Sequence, residues 1–327
     1  MTKLRWGVLS TAKIARQKVI PGARSAPSCE IVAIAGRDGD RTQRVAGELG
    51  IPRAHSGYQA LLDDPEVEAV YIPLPNHLHA EWTIRAAEAG KHVLCEKPLA
   101  LSSADAQQMV DACSSAGVVL MEAFMYRLHP SWRTVVDLVA SGRIGELVAV
   151  QSWFSYFNDD PGNIRNVAAF GGGALMDVGC YSVNLSRMLF GSEPTAVAAS
   201  IVRDPATGVD VLTSGLLEFA GGSATFACST RAEPDQRVHV HGTTGRITID
   251  IPFNIPADRP TSVRVTAGGN PPTDPDTVVI THEPADQYGI ELELLSRAVL
   301  DGTPAPVPAE DGVANMAVIE RLVESSL

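Results

Sequence analysis

The chain has 327 residues, of which 45% are hydrophobic and 20% charged, and its formal net charge is −12. That length suits about two globular domains, the acidity argues against a nucleic-acid surface, and no apolar run approaches the roughly 20 residues of a membrane span. The five cysteines are widely spaced with no C-x-x-C, and the pairs His77/His79 and His239/His241 have no cysteine or H-E-x-x-H context, so free thiols in a reducing compartment and no metal are expected. Met1 to Trp6 lead directly into a strand without a signal-peptide core, so the expected location is cytoplasmic.

Residues 4–10 read as a strand and Ala12 to Val19 as a helix stopped by Pro21-Gly22. Between them, Gly7 to Ala15 have the spacing of a dinucleotide-binding turn, with Ser10, Ala12 and Ala15 where glycines are usual. Small residues there let a pyrophosphate approach the backbone and the helix N-terminus, so Ser10, Thr11, Ala12 and Ile14 are candidate cofactor contacts; the alternative is a plain strand-to-helix loop. A second strand over 30–35 ends at Gly36-Arg37. NAD enzymes usually place an acid at this strand end. Here Arg37, with Arg41 one helical turn later, offers a fork for a 2′-phosphate, which favours NADP over NAD. The alternative is two solvated helix-start charges.

A helix over 40–49, a short one over 58–62 and a strand over 69–72 follow. The strand ends at Pro73-Leu74-Pro75-Asn76-His77, a rigid turn at the carboxyl edge of a parallel sheet, where Pro73 can wall a cofactor and Asn76 and His77 can reach it. A lone loop histidine is also commonly structural. A helix over 79–89 leads to a strand over 91–95, and Glu96-Lys97-Pro98 sit just past its end. A lysine held there can hydrogen-bond a reacting hydroxyl or move a proton; the bland reading is two solvated charges before a helix. A helix to Ala116 and a strand over 118–121 complete an alternating pattern of apolar strands and helices, which means βαβ units and a parallel sheet.

The pattern changes near Met125. Arg127 and His129 fall at the junction, either lining a substrate cleft or capping the helix over 131–140. Eight longer strands follow, over 146–157, 195–203, 209–219, 222–230, 236–241, 246–251, 262–267 and 276–282. Several alternate apolar and polar residues, as in Val238-His239-Val240-His241, which marks a half-exposed, largely antiparallel sheet. Residues 268–275 read as a loop, and helices over 174–190, 286–300 and 309–326 complete this part. Gly171-Gly172-Gly173 open the first of these helices and put Asp177 and Tyr181 four residues apart on one face. A carboxylate beside a phenol suits binding and deprotonation of an alcohol; the alternative is a core tyrosine and a helix-start acid.

Taken in this order, Gly7–Ala15, Gly36-Arg37, Pro73–His77, Glu96-Lys97-Pro98, Glu122–His129 and Gly171–Tyr181 resemble the Gfo/Idh/MocA oxidoreductase family (glucose–fructose oxidoreductase / inositol dehydrogenase-like) along essentially the whole chain. The resemblance implies an α/β fold: an N-terminal Rossmann dinucleotide-binding domain, 1–124, then an α/β domain, 125–327, with a large, mostly antiparallel open sheet. That sheet often forms the dimer interface in the family, so a homodimer or higher homo-oligomer is implied. Many members carry a histidine where Tyr181 stands. The run Glu122 to Pro130 and the segment Asn163-Ile164-Arg165 are similar to the dimeric dihydrodiol dehydrogenase / D-xylose dehydrogenase branch, which uses NADP and a Lys–Tyr pair. Those roles fall on Lys97 and Tyr181.

The implied activity is hydride transfer between nicotinamide and a carbinol carbon of a sugar or cyclic diol, with Tyr181 as acid/base and Lys97 lowering its pKa. Glu96 would orient Lys97 or contact the nicotinamide ribose, and Asp177 and Arg165 would bind substrate hydroxyls. The alternatives are a keto-sugar reductase, an inositol-type dehydrogenase or a non-catalytic NADP-binding sensor.

Overall fold

Short strands, apolar except at their ends and in β3, build a six-stranded parallel sheet from β1 (Leu4–Leu9), β2 (Cys29–Gly36), β3 (Arg53–Ser56), β4 (Ala69–Ile72), β5 (His92–Cys95) and β6 (Leu120–Glu122), in the order β3-β2-β1-β4-β5-β6. The computed structural model of the protein describes residues 2–267 and 276–326; the loop expected over 268–275 lies outside the described residues. Successive strand residues face opposite sides, and Val8, Leu9, Val70, Tyr71, Ile72, Val93 and Leu94 are all fully buried because helices cover both faces. Each large apolar side chain buried this way contributes roughly 1.5–3 kcal/mol. β1 pairs with β2 on one side and β4 on the other, so strand order reverses at β1. The carboxyl edge beside that reversal is where open α/β sheets take ligands.

The covering helices are α1 (Ile20–Ala23), α2 (Gly39–Leu49), α3 (Tyr58–Leu62), α4 (His79–Glu88) and α5 (Ser103–Ala116). Asp38 caps α2 by accepting the Arg41 N–H at 3.0 Å, and Ser102 caps α5 through the Asp105 N–H at 3.0 Å. Two elements differ from expectation. The first helix does not stop at Val19: a wide turn over Ala15–Val19, closed by the Ile20 N–H on the Ala15 carbonyl, runs directly into α1 and through Pro21-Gly22. Pro21 falls at the start of α1, where its missing N–H costs little. The four residues of β3 were not expected as a strand, since Arg-Ala-His-Ser has neither alternation nor bulk; its pairing with β2 at the sheet edge decides it.

The longer strands build a second sheet. With α6 (Pro130–Ala140), β7 (Leu147–Phe157), α7 (Cys180–Phe190), β8 (Ala196–Arg203), β9 (Asp210–Phe219), β10 (Gly222–Ser229), β11 (Arg231–Gly242), β12 (Gly245–Ile249), β13 (Thr261–Ala267) and β14 (Thr277–His282), its order is β14-β13-β12-β11-β7-β10-β9-β8. All pairs are antiparallel except β7 with β10. One face, with Val150, Phe154, Phe226, Val238, Val240, Ile247 and Val263, is buried. The other presents Gln151, Trp153, Thr225, Leu216, His239 and Thr248, none of them buried.

One compact unit is Met1–Met125 with Asp286–Met316, the other Tyr126–Ala285 with Ala317–Leu327. Residues 286–316 group with the first unit: α8 (Gln287–Asp301) returns to the first sheet, and α9 (Glu310–Glu324) follows it. Named contacts fix that return. The buried Trp6 indole N–H donates to Ser296 Oγ at 2.9 Å, and the Ser28 N–H and hydroxyl donate to Glu293 at 2.7 and 3.0 Å. A Cβ on Gly22 would lie 2.9 Å from the Gly289 nitrogen, so α1 and α8 meet backbone to backbone. Helical periodicity names the apolar side of α8 but not the sheet it covers.

Glu291 on α8 is 2% exposed and its Oε1 has no hydrogen-bond partner. Burial first, then the nearby Glu96 carboxyl, pushes its proton affinity well above the ordinary carboxylate range. Two predictions follow from α8. Replacing Ser296 with Ala leaves the Trp6 N–H buried and unpaired, so denaturant melts should show a loss of about 1–3 kcal/mol. The Glu291 carboxyl stays protonated in the folded chain while the unfolded chain ionises above a pH of about 4.3. Folding stability is therefore lost as pH rises above that value. Glu291→Gln should gain on wild type progressively between pH 4 and pH 7 (roughly the window opened by the unfolded value); a gap that stays constant across it would show an ionised carboxyl.

Candidate active site

The first unit gathers its candidate residues at the carboxyl edge of the parallel sheet. After β1, Ser10 Oγ accepts the Ala12 N–H at 3.0 Å and so closes the turn that contains Thr11, with Ile14 partly exposed just beyond. At the end of β2, Gly36 lies so close to α2 that a Cβ would sit 2.3 Å from Thr42 Oγ1. Arg37 then projects to solvent and hydrogen-bonds Tyr58, whose ring packs edge-on to Trp82 at 5.0 Å. Burial raises the Tyr58 phenol and the Arg37 charge opposes it. Asp38, the acid nearest this strand end, is engaged as the cap of α2. Arg41 contributes its backbone N–H to that cap, and its side chain is exposed.

β4 and β5 deliver the next group. Pro73 is buried, while Asn76 and His77 open a short 3₁₀ turn before α4 and are half-buried. Glu96 follows β5 and receives the Tyr71 hydroxyl on Oε1 at 2.5 Å, a charge-assisted bond in a fully buried setting for Tyr71. That bond and the Glu96 carboxyl, after burial itself, drive the Tyr71 phenol well up, so it stays a donor. Lys97 is half-buried and its N–H reaches Glu96 Oε2 at 3.3 Å; the Lys97–Pro98 peptide is cis. The turn is braced beneath: the Leu99 N–H donates to Glu122 Oε1 at 2.7 Å, and Glu122 is 3% exposed.

The second unit holds a separate polar cluster. Asp177 Oδ2 accepts the Tyr156 hydroxyl at 2.5 Å and Arg165 Nε at 2.8 Å. The Tyr156 phenol is raised by burial and then by Asp177, so its proton stays on the hydroxyl and points at the carboxylate. The glycines explain how Arg165 reaches that far. Gly173 donates its N–H to the Arg165 carbonyl at 2.9 Å, and a Cβ on Gly172 would lie 2.4 Å from the same carbonyl oxygen. Gly173 has φ +119, and a Cβ there would strike Asp210 Oδ1 at 1.9 Å. Asp210 in turn accepts the Leu175 N–H at 2.7 Å and so holds the start of the helix. Sequence reasoning missed Asp210, since nothing on β9 distinguishes it from other strand-end acids.

Asp177 lies in a wide turn, Leu175–Gly179, closed by the Cys180 N–H on the Leu175 carbonyl, so Asp177 and Tyr181 are not an ordinary helical i,i+4 pair. Such wide turns are often found at functional sites. Tyr181 is 5% exposed, its ring fixed by Tyr126, Phe154 and Phe253 at centroid distances of 5.8, 5.5 and 5.1 Å. Arg127 is half-buried in a short 3₁₀ turn. Of the two readings of His129, the structure shows the cap: the residue is 0% exposed, and its ring accepts the Ser131 N–H at the start of α6. Burial lowers its proton affinity to a pKa of about 4, with His282 adding to the effect. Among the described residues there is no cluster of three or more His, Cys, Asp or Glu side chains able to hold a metal ion, and no helix is long and apolar enough to cross a membrane.

Comparison with known proteins places this arrangement. Residues 4–124 match the profile of the oxidoreductase family with an NAD-binding Rossmann fold, and residues 132–248 match the GFO/IDH/MocA C-terminal domain. A D-xylose 1-dehydrogenase (NADP(+)) of Haloferax volcanii is 41% identical over 325 residues, covering 99% of this chain and 97% of the relative. A trans-1,2-dihydrobenzene-1,2-diol dehydrogenase of Mus musculus is 34% identical over 251 residues, 75% of this chain and 74% of the relative. The crystal structure of a 3-ketoreductase from Actinomadura kijaniata in complex with NADP and TDP-benzene superposes with a TM-score of 0.92 at 31% identity, covering 99% of this chain and 98% of that one. On the family profiles and the full-length similarity together, the chain belongs to the Gfo/Idh/MocA family of oxidoreductases.

Proposed function

We propose that this oxidoreductase transfers a hydride between NADP and a carbinol carbon of a sugar or cyclic diol. The observation that carries the reading is the Asp177 carboxylate with two donors, Tyr156 and Arg165, on one oxygen. A carboxylate oriented this way is a fixed acceptor for a substrate hydroxyl. NADP fits the donor set at the end of β2: Arg37 is exposed and forked, while Asp38 is occupied as a helix cap and does not offer a carboxylate to a ribose diol. Ser10, Thr11, Ala12 and Ile14 would hold the pyrophosphate, Arg37 and Arg41 the 2′-phosphate, and Pro73, Asn76, His77 and Glu96 the nicotinamide side.

When bound, the cofactor accepts or supplies the hydride. Tyr181 moves the proton of the reacting hydroxyl, and its ring, packed among three aromatic neighbours, cannot drift from that atom. In this reading Lys97 supplies the positive charge that would lower the proton affinity of Tyr181. Glu96, itself held by Tyr71, orients Lys97. Arg165 and Asp177 would bind further hydroxyls, and Arg127 is a further candidate contact. Similarity to a 3-ketoreductase supports a second reading, reduction of a keto-sugar by the same residues. Two copies would pair through the open face of the second sheet, whose mix of Trp153, Leu216, threonines and His239 is less polar than a fully solvated surface needs.

The direct test is cofactor reduction against D-xylose, D-glucose, myo-inositol and a trans-dihydrodiol, with keto-sugar reduction run in reverse; turnover of none would defeat both readings. Tyr181→Phe should lower kcat by roughly 10²–10⁴-fold, and Lys97→Met by roughly 10²–10³-fold, under saturating NADP. Near-wild-type turnover in either variant would remove that residue from the mechanism. Arg37→Ala should weaken NADP binding about 10- to 100-fold, the equivalent of a lost charge-assisted bond, with little effect on NAD; equal losses would place the arginine elsewhere. Sedimentation should show a dimer that Trp153→Glu converts to monomer.

A further inference from the structure

His79, the first residue of α4, is not among the residues assigned above. Its ring is 0% exposed and lies between two backbone carbonyls: Nδ1 is 2.9 Å from the Pro98 oxygen and Nε2 is 2.9 Å from the Leu74 oxygen. Both distances are within hydrogen-bond range, and the neutral ring donates to one carbonyl at a time, its tautomer choosing which. Leu74 belongs to Pro73-Leu74-Pro75, the loop that precedes Asn76 and His77; Pro98 directly follows Lys97. The ring therefore links the cofactor-side loop after β4 to the Lys97 turn after β5.

The chemistry of the two loops explains why a side chain is needed. Pro73, Pro75 and Pro98 have no N–H, so both loops are poor in backbone donors. A carbonyl buried at such a loop must find its donor elsewhere or lose about as much as a broken hydrogen bond. An imidazole has a nitrogen on each side, at a spacing that bridges two strands' ends. The neutral ring donates to one carbonyl and the imidazolium to both. Burial, with the Lys97 charge adding to it, holds the ring's proton affinity below the ordinary histidine value, while the two carbonyls act in the opposite direction. On the other side of the turn the Leu99 N–H is held by Glu122. The Lys97 turn is thus held on both flanks, and the His79 ring is the flank that faces the Leu74 carbonyl of the cofactor-side loop.

We propose that His79 is a positioning residue that keeps Lys97 in register with the Pro73–His77 loop, and so sets the nicotinamide half of the cofactor site without touching the adenine half. The inference rests on the NADP and Lys97 assignments proposed above. It predicts a divided effect on ligands. His79→Leu, which keeps bulk and removes both nitrogens, should weaken NADPH binding at least tenfold by fluorescence titration. Binding of 2′,5′-ADP, which carries only the adenine end and its phosphate, should stay within twofold of wild type. The value of kcat should fall roughly 10- to 100-fold, the scale of a misplaced catalytic group. His79→Gln, which retains a donor, should recover part of both losses.

NADPH binding and kcat both within twofold of wild type in His79→Leu would overturn the proposal. So would equal weakening of NADPH and 2′,5′-ADP, the mark of a general packing defect. If His79→Leu does not fold, His79→Gln is judged by the same ratio, with a graded loss of NADPH alone as the supporting result. A wild-type protein that binds neither ligand would defeat the cofactor assignment itself, and with it this inference. That result is distinct from a wild type that binds both while the His79 variants match it.

Discussion

A buried polar group without a partner costs about 1–3 kcal/mol, and the carboxyl edge of the parallel sheet is dense with such groups. Tyr71 answers Glu96, Glu122 answers the Leu99 N–H, and His79 lies between the carbonyls of Leu74 and Pro98. Lys91, 8% exposed at the far end of β5, spends its ammonium on the Asp64 and Val67 carbonyls. Each of these bonds ties a loop to a strand or to another loop. Side chains thus supplement the backbone bonds of these proline-rich loops, whose prolines donate none. Rigid loops beside a strand reversal are what a preorganised cofactor site requires.

The second unit solves a different problem with the same physics. A charged arm must reach a helix start and stay there. Bare glycines at positions 172 and 173 let the backbone of Arg165 lie against the helix, and Asp210 occupies the space that a side chain at Gly173 would need. Arg231 anchors the same arm from the sheet by bonding Asn166 Oδ1 at 3.2 Å and the Asn158 carbonyl. Asp177 is thereby supplied with two fixed donors rather than with mobile solvent. Such a carboxylate loses little freedom when a substrate hydroxyl arrives, and binding energy then goes to orientation.

The fold of an α/β oxidoreductase and the cofactor-side chemistry are linked through what the acids are doing. A carboxylate near the end of β2 ordinarily signals NAD. Here Asp38 caps α2 through one carboxylate oxygen, and the exposed Arg37 guanidinium stands beside it. Capping and recognition compete for one side chain, and the helix wins it.

Much of this was legible in the residues alone. The strand–helix alternation, the Glu-Lys-Pro turn, the switch to period-2 strands and the glycine-led helix are local patterns, and local patterns follow from backbone preference and burial of one face. The residues proposed to carry the chemistry also stood out, because lysine, tyrosine and paired acids beside glycine or proline are unusual for packing alone. Tertiary structure decided the rest. It sent α8 back to the first sheet, because Trp6 and Ser28 meet Ser296 and Glu293 across more than two hundred and sixty residues of chain. It turned His129 into a buried cap, paired the polar strand β3, and gave His79 and Asp210 their partners. These outcomes depend on which groups are left unsatisfied after the sheets assemble, and no spacing along the chain records that.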